Sequence, residues 1–67
     1  MIDGSQRVEF EDVHVLGMSD LVMMCQIRGQ IVKVPALQIL SGTTISGHGD
    51  RGRLVLSREL AITLGLV

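Results

Sequence analysis

Two apolar runs separated by one short turn restrict this chain more than any other feature. Residues 21–27 are almost wholly apolar, residues 31–34 resume the apolar run, and Arg28-Gly29-Gln30 stands between them. A glycine between two such runs predicts a tight β-hairpin, because glycine adopts the backbone conformations that short turns need. Its first strand is expected to be central and covered on both faces. Pro35 is expected to end the second, since proline has no N–H to donate.

Further strands are predicted on both sides of this hairpin. From Arg7 the apolar residues alternate and then change phase at Glu11-Asp12, which predicts a strand with a β-bulge, or two short strands. Residues 17–20 have the composition of a turn. Residues 53–56 are typical of a last strand.

The other segments predict short helical pieces and one long loop. Residues 36–40 favour a single helical turn, and residues 41–51, rich in Gly, Ser and Thr, form the longest predicted loop. Ser57 is placed to cap a helix that runs to about Leu64. Gly65 then ends that helix in the left-handed conformation.

These elements predict an α+β fold that is mainly β. We expect one domain over residues 1–67, with residues 1–6 as a frayed lead-in. Its architecture is expected to be a small, partly open antiparallel β-barrel or curled sheet of four to five strands with one C-terminal helix.

The composition indicates contact with another chain. A domain of 67 residues buries only about 60% of its unfolded surface, and a single cysteine excludes an internal disulfide. Yet 46% of the residues are hydrophobic. We therefore expect a homodimer or a partner-bound subunit, in which some of this apolar surface is covered.

The sequence predicts a cytoplasmic protein without a membrane span. No stretch reaches the roughly 18 consecutive apolar residues that a span requires. The first residues have neither the basic start nor the apolar run of a signal peptide. A lone free thiol, Cys25, fits a reducing compartment.

A glycine-rich segment, residues 47–52, has the most suggestive composition for a binding site. Its backbone N–H groups could converge on an anion beside His48 and Arg51. The segment lacks the lysine and the Ser/Thr of a P-loop, and it precedes a strand instead of a helix. A flexible connector is therefore the favoured interpretation.

No enzyme active site or cofactor site is predicted. His14 and His48 are distant in sequence and have no ligand at zinc spacing. Cys25 lies in an apolar run, where burial makes a thiol inert. No nucleophile is paired with a base in the sequence, so we expect a protein without catalytic activity.

Two groups of residues are candidates for contacts with a partner. Residues 1–20 carry a net charge of −4 and the remainder carries +3, which indicates either a basic face or two segments that attract each other. The candidate anion or duplex-DNA contacts are Arg51, Arg53, Arg58 and His48. The candidate interface residues are Met18, Met23 and Met24, because methionine adapts to irregular partners.

Two segments resemble known proteins. Residues 25–39 contain Val34-Pro35 followed by Gln38-Ile39, which resembles the Val-Pro-x-x-Gln-Ile core of small uncharacterised proteins of tailed phages and prophages. Residues 52–66, from Gly-Arg-Leu-Val to the final Gly-Leu, resemble their closing strand and helix. The same closing segment is similar to the strand-to-helix piece of AbrB/MazE-type swapped-hairpin DNA-binding proteins, which are intertwined dimers.

The favoured function is a non-enzymatic protein-interaction module of a mobile genetic element that binds a host protein. The phage-type resemblance implies no activity of its own. The alternative is a dimeric duplex-DNA-binding protein of AbrB-like type, whose affinity would fall steeply with salt.

Overall fold

The computed structural model describes residues 6–67, and residues 1–5 of the predicted lead-in lie outside the described residues. Four strands form one antiparallel sheet in the spatial order β3-β2-β1-β4. The strands are β1 (Arg7–Met18), β2 (Val22–Ile27), β3 (Gln30–Pro35) and β4 (Arg51–Ser57). A 3-10 turn, Ala36–Gln38, follows β3, and a helix, α1 (Arg58–Thr63), follows β4. The predicted mainly-β sheet with a C-terminal helix is confirmed; the sheet is open and does not close into a barrel.

The predicted hairpin joins β2 to β3 through a two-residue turn. Arg28 has φ 52° and Gly29 has φ 81°. Positive φ at both positions is what the type I′ turn requires, and this turn matches the twist of the flanking strands. Arg28 has this positive φ although it is not a glycine. Its guanidinium lies 5.2 Å from the Phe10 ring centroid and donates to the Leu66 carbonyl at 3.2 Å.

The phase change in β1 is a β-bulge, as predicted. The pairing of β1 with β4 shifts between Phe10 and Val13, and Asp12 at the bulge has φ 57°. The extra residue returns Val13 to the face that Phe10 occupies. Both side chains are therefore buried in the same core.

The turn expected at residues 17–20 begins two residues later than predicted. A second shift between Val15 and Gly17 keeps the chain in the ladder, so Gly17 pairs with Met24 and Met18 pairs with Met23. The Ser19 hydroxyl then accepts from the Val22 N–H at 3.2 Å and closes the turn.

Strand β2 is covered on one face only, contrary to the prediction that both of its faces are covered. Met23, Cys25 and Ile27 are buried, whereas Val22 and Met24 are half-buried and Gln26 is exposed. The difference arises because α1 and the long loop supply apolar side chains to one face. We call this covered side the core face and the opposite side the outer face. The core face buries these residues: Phe10, Val13, Val15, Met23, Cys25, Ile27, Val32, Val34, Ile45, Leu54, Leu56, Ala61 and Leu66.

The helix α1 begins and ends as predicted, to within one residue. The Ser57 hydroxyl accepts from the Leu60 N–H at 3.1 Å, which satisfies one free donor of the first turn. Gly65, with φ 78°, donates to Ile62, and Leu66 donates to the Ala61 carbonyl at 2.9 Å. This Schellman arrangement turns the Leu66 side chain into the core.

The long loop, residues 39–50, runs along the outer edge of β4. The Leu40 N–H donates to the Val55 carbonyl at 3.0 Å, and the Thr44 N–H donates to the Arg53 carbonyl at 2.9 Å. The hydroxyls of Thr43 and Thr44 accept from the N–H groups of Val55 and Arg53 at 3.0 and 2.9 Å. The outward backbone groups of Arg53 and Val55 are thus bonded without a fifth strand.

Candidate functional site

The arginines predicted to contact DNA are engaged with carboxylates of the β1 bulge. The Arg51 Nε lies 3.6 Å from Asp12 Oδ1, and the Arg53 Nε donates to Glu11 Oε2 at 2.9 Å. All four side chains are substantially exposed, so each pair contributes about 1 kcal/mol at most. Part of the charge asymmetry between the two ends of the chain is therefore compensated inside the fold.

The remaining candidate contacts do not join these arginines. Arg58 is the first residue of α1, at the far end of β4 from Arg51. A strand rises about 3.3 Å per residue, which separates the two positions by roughly 20 Å. His48 is exposed in the long loop. The structure thus brings together Arg51 and Arg53 on one face, and it places Arg58 elsewhere.

The glycine-rich segment holds an anion that belongs to the chain itself. The Asp50 carboxylate accepts from the N–H groups of Ser46 and Gly47, both at 2.8 Å, and from the Ser46 hydroxyl at 3.3 Å. These hydrogen bonds, the one from the Ser46 backbone first, lower the pKa of Asp50 below its ordinary value. The Gly47 N–H, and the Gly49 N–H that donates to the Val15 carbonyl at 2.9 Å, are therefore already bonded within the chain.

The reactive side chains considered in the sequence are separated from one another. Cys25 is fully buried on the core face, and burial raises the pKa of its thiol to about 11. His14 is half-buried on β1, with Gln26 and Arg51 as its cross-strand neighbours. Within residues 6–67, no group of three His, Cys, Asp or Glu side chains is placed to hold a metal ion.

The three candidate methionines lie on two different faces. Met23 is 2% exposed and packs in the core. Met18 and Met24 line a groove of about 320 Å³ near the β1–β2 turn, and Met24 lies on the outer face. Lys33 and Val22 also line this groove, so it reaches across β2 to β3.

Beside this groove, β3 presents an edge with no partner among the described residues. The Ala36 N–H donates to the Leu21 carbonyl at 2.9 Å, which marks a bonded pair of the β2–β3 ladder. Bonded and non-bonded pairs alternate along an antiparallel ladder. Counting back from Ala36 along this alternation, the N–H and C=O groups of Ile31 and Lys33 point away from β2. Pro35 has no N–H, so only its C=O points in that direction. We call these three residues the β3 edge.

Large apolar side chains are exposed on β3 and at the end of the sheet where β3 ends. Ile31 is 62% exposed on the strand, and Leu37 is 96% exposed immediately after it. Leu21, whose carbonyl accepts from the Ala36 N–H just before β2, is 74% exposed, and Met18, the last residue of β1, is 42% exposed. Sequence reasoning did not identify this surface, because only the strand order shows which strand is at an edge.

The β2–β3 hairpin carries charge of one sign. No carboxylate occurs between Asp20 and Asp50 in the sequence, and the β2–β3 hairpin carries only Arg28 and Lys33 as charged residues. The carboxylates of the β1 bulge lie on the β4 side of the sheet, where they pair with arginines. The long run without acidic residues was the one signal in the sequence for this surface.

No helix among residues 6–67 has the length and apolar character needed to cross a membrane. Comparisons with protein-family models, with curated protein sequences and with solved structures give no match to this chain.

Proposed function

We propose that this protein is a non-enzymatic protein-interaction module that binds a partner protein at the β3 edge and the apolar residues beside it. The observation that supports this proposal is the contrast between the two sheet edges. The long loop bonds the backbone groups of Arg53 and Val55 on β4, whereas within residues 6–67 no hydrogen bond is made to the outward backbone groups of Ile31 and Lys33 on β3. An edge strand whose backbone groups have no partner is a template for pairing with another chain.

The exposed apolar residues support the same surface. Scattered single apolar residues are normal on a protein surface, but Met18, Leu21 and Leu37 lie at one end of the sheet, with Ile31 further along β3. Their burial against a partner would add hydrophobic free energy to the backbone hydrogen bonds of the edge. In this proposal, the apolar surface that the composition predicts to be covered is the one beside the β3 edge.

Photo-cross-linking tests this proposal. A benzophenone amino acid replaces Leu37 in one variant and, in a matched control, Ile62, which is also apolar and 56% exposed but lies on α1. In a lysate of the source organism, the variant at Leu37 is expected to give one reproducible heavier adduct that the Ile62 variant does not give. Equal adducts from both variants, or none from Leu37, would contradict the proposal.

Duplex-DNA binding is the second candidate, favoured by the placement of Arg51 and Arg53 on one face of β4. A phosphate would have to compete with Asp12 and Glu11 for these guanidinium groups. If DNA is the partner, affinity must fall steeply with salt, and Arg51→Gln with Arg53→Gln must reduce that slope by about 2. Salt-independent or undetectable binding would exclude this candidate.

The homodimer, the cytoplasmic location and the origin in a mobile element stay predictions. Sedimentation equilibrium measures the first of these directly. A partner identified by cross-linking would show whether a host protein is bound, as the phage-type resemblance implies.

A further inference from the structure

From the β3 edge we infer that the partner contributes an extended acidic segment, which adds to the sheet as a fifth strand and sets a carboxylate opposite Lys33. This inference rests on the proposed function and names the chemistry of the partner. It starts from the backbone groups of Ile31 and Lys33, which face away from β2 and are arranged to bond a strand.

The side chains of β3 define what such a strand would carry. Lys33 lies on the outer face and is exposed, so the residue opposite it meets an ammonium group. Opposite charges in directly facing cross-strand positions are stabilising, and like charges are destabilising. Residues on either side of that position would lie beside Val32 and Val34 on the core face, where apolar side chains extend the buried surface.

Charge distinguishes an acidic segment from a second copy of this chain. The hairpin carries Arg28 and Lys33 and no carboxylate, so pairing two β3 edges adds positive charge to positive charge. A two-fold pairing centred on Lys33 sets the two ammonium groups directly opposite each other. Lysine on an edge strand is a known means of preventing such self-pairing. The acidic segment is therefore the occupant that the charges favour.

Pro35 limits the length of the added strand. It lacks an N–H and offers only its carbonyl. On β3, therefore, only Ile31 and Lys33 can donate an N–H to an added strand. The Arg28-Gly29 turn closes the other end. The recognised segment is accordingly short, with the carboxylate near its middle.

Amide hydrogen exchange by NMR tests this inference at single residues. The probe is the capped peptide Val-Thr-Val-Glu-Val-Thr-Val, with versions that carry Lys or an N-methylated Glu at the central position. At saturating peptide, exchange of the Ile31 and Lys33 amides is expected to slow by about 10-fold or more. The Val32 and Val34 amides, already directed at β2, serve as internal references and should change little.

Charge variants complete the test. Lys33→Glu is expected to weaken binding of the Glu peptide about 5- to 10-fold and to strengthen binding of the Lys peptide. Arg58→Glu changes the net charge equally on α1 and should leave both affinities unchanged. The N-methylated peptide, which cannot donate to the Lys33 carbonyl, should bind more weakly than its parent.

Three results would overturn the inference. They are unchanged exchange at Ile31 and Lys33 with the Glu peptide, equal binding of the Glu and Lys peptides, and protection of both amides that rises with protein concentration in the absence of peptide. The last result would identify a second copy as the occupant. A cross-link at Leu37 together with any of these results would leave the interaction module standing and remove only the acidic strand.

Discussion

The contact between Gly52 and Thr44 gives a quantitative test of how the long loop covers β4. A Cβ atom at Gly52 would lie 2.5 Å from the Thr44 hydroxyl oxygen and 3.4 Å from Ile45 Cγ2. The same hydroxyl accepts from the Arg53 N–H at 2.9 Å. Gly52→Ala therefore cannot be accommodated unless Thr44 moves and this hydrogen bond is lost.

The expected magnitude follows from three contributions. Overpacking of this kind costs roughly 1–3 kcal/mol, the lost hydrogen bond costs about 1 kcal/mol, and replacing glycine in a strand returns about 0.5 kcal/mol. Gly52→Ala is thus expected to lower the free energy of unfolding by about 2 kcal/mol. A domain of 67 residues has about 3–10 kcal/mol in total, so the variant stays folded.

A double-mutant cycle isolates the contact. Thr44→Ala removes the hydroxyl at a cost of about 1 kcal/mol. It leaves the Cβ atom of residue 44 at 3.8 Å from the methyl carbon that Gly52→Ala introduces, which is an ordinary contact distance. In the Thr44→Ala background, Gly52→Ala should then cost nothing or stabilise slightly. The coupling between the two substitutions is expected to be about 2 kcal/mol.

Urea unfolding followed by circular dichroism measures all four proteins of the cycle. Additive effects, with coupling below about 0.5 kcal/mol, would show that Thr44 does not lie against Gly52. The loop would then not cover β4 as described, and the contrast between the two sheet edges would be lost.

Two further predictions concern the buried thiol and the helix cap. Burial raises the pKa of Cys25 from 9.0 to about 11, so the thiol favours folding below pH 9 and this contribution is lost as pH rises toward 11. Between pH 8 and pH 10.5, the free energy of unfolding of the wild-type protein should fall by about 2 kcal/mol more than that of Cys25→Ala, measured by urea unfolding. Equal losses in the two proteins would show that the Cys25 thiol is not the group responsible. Ser57→Ala removes the acceptor of the Leu60 N–H and should cost about 1 kcal/mol, or roughly 4–8 °C in Tm. Ser57→Asp keeps an acceptor and should stay near the wild-type Tm; an equal loss in both variants would contradict the role of the cap.

Local features of the fold were predictable because their causes are local. The Arg28-Gly29 turn, the bulge at Asp12 and the cap at Ser57 each depend on residues a few positions apart. Their backbone conformations follow from steric limits and short-range hydrogen bonds, which the sequence carries directly. The prediction that Cys25 is buried depended only on its apolar neighbours in the sequence, and the structure places Cys25 in the core.

The candidate site was predicted less well because its residues are remote in sequence. Arg51 and Arg53 are candidate DNA contacts in the sequence, which also allows the acidic and basic segments to attract each other. Their carboxylate neighbours Asp12 and Glu11 lie about 40 residues earlier, across the β1–β4 ladder, so the choice between the two interpretations depends on the fold. For the glycine-rich segment a connector is the favoured prediction and an external anion the alternative; in the structure the Asp50 carboxylate accepts from the N–H groups of Ser46 and Gly47. Both outcomes depend on which atoms the fold brings within hydrogen-bond distance.

The order of residues alone therefore determines the strands, the turns, the helix and the sign of the charge around Lys33. The tertiary structure decides which strand lies at an edge, which edge the long loop covers and which face of the sheet stays open. The reason is physical: backbone conformation is set by neighbouring residues, whereas edge and face are properties of strand pairing, and every strand has the same unbonded groups until a partner is placed beside it.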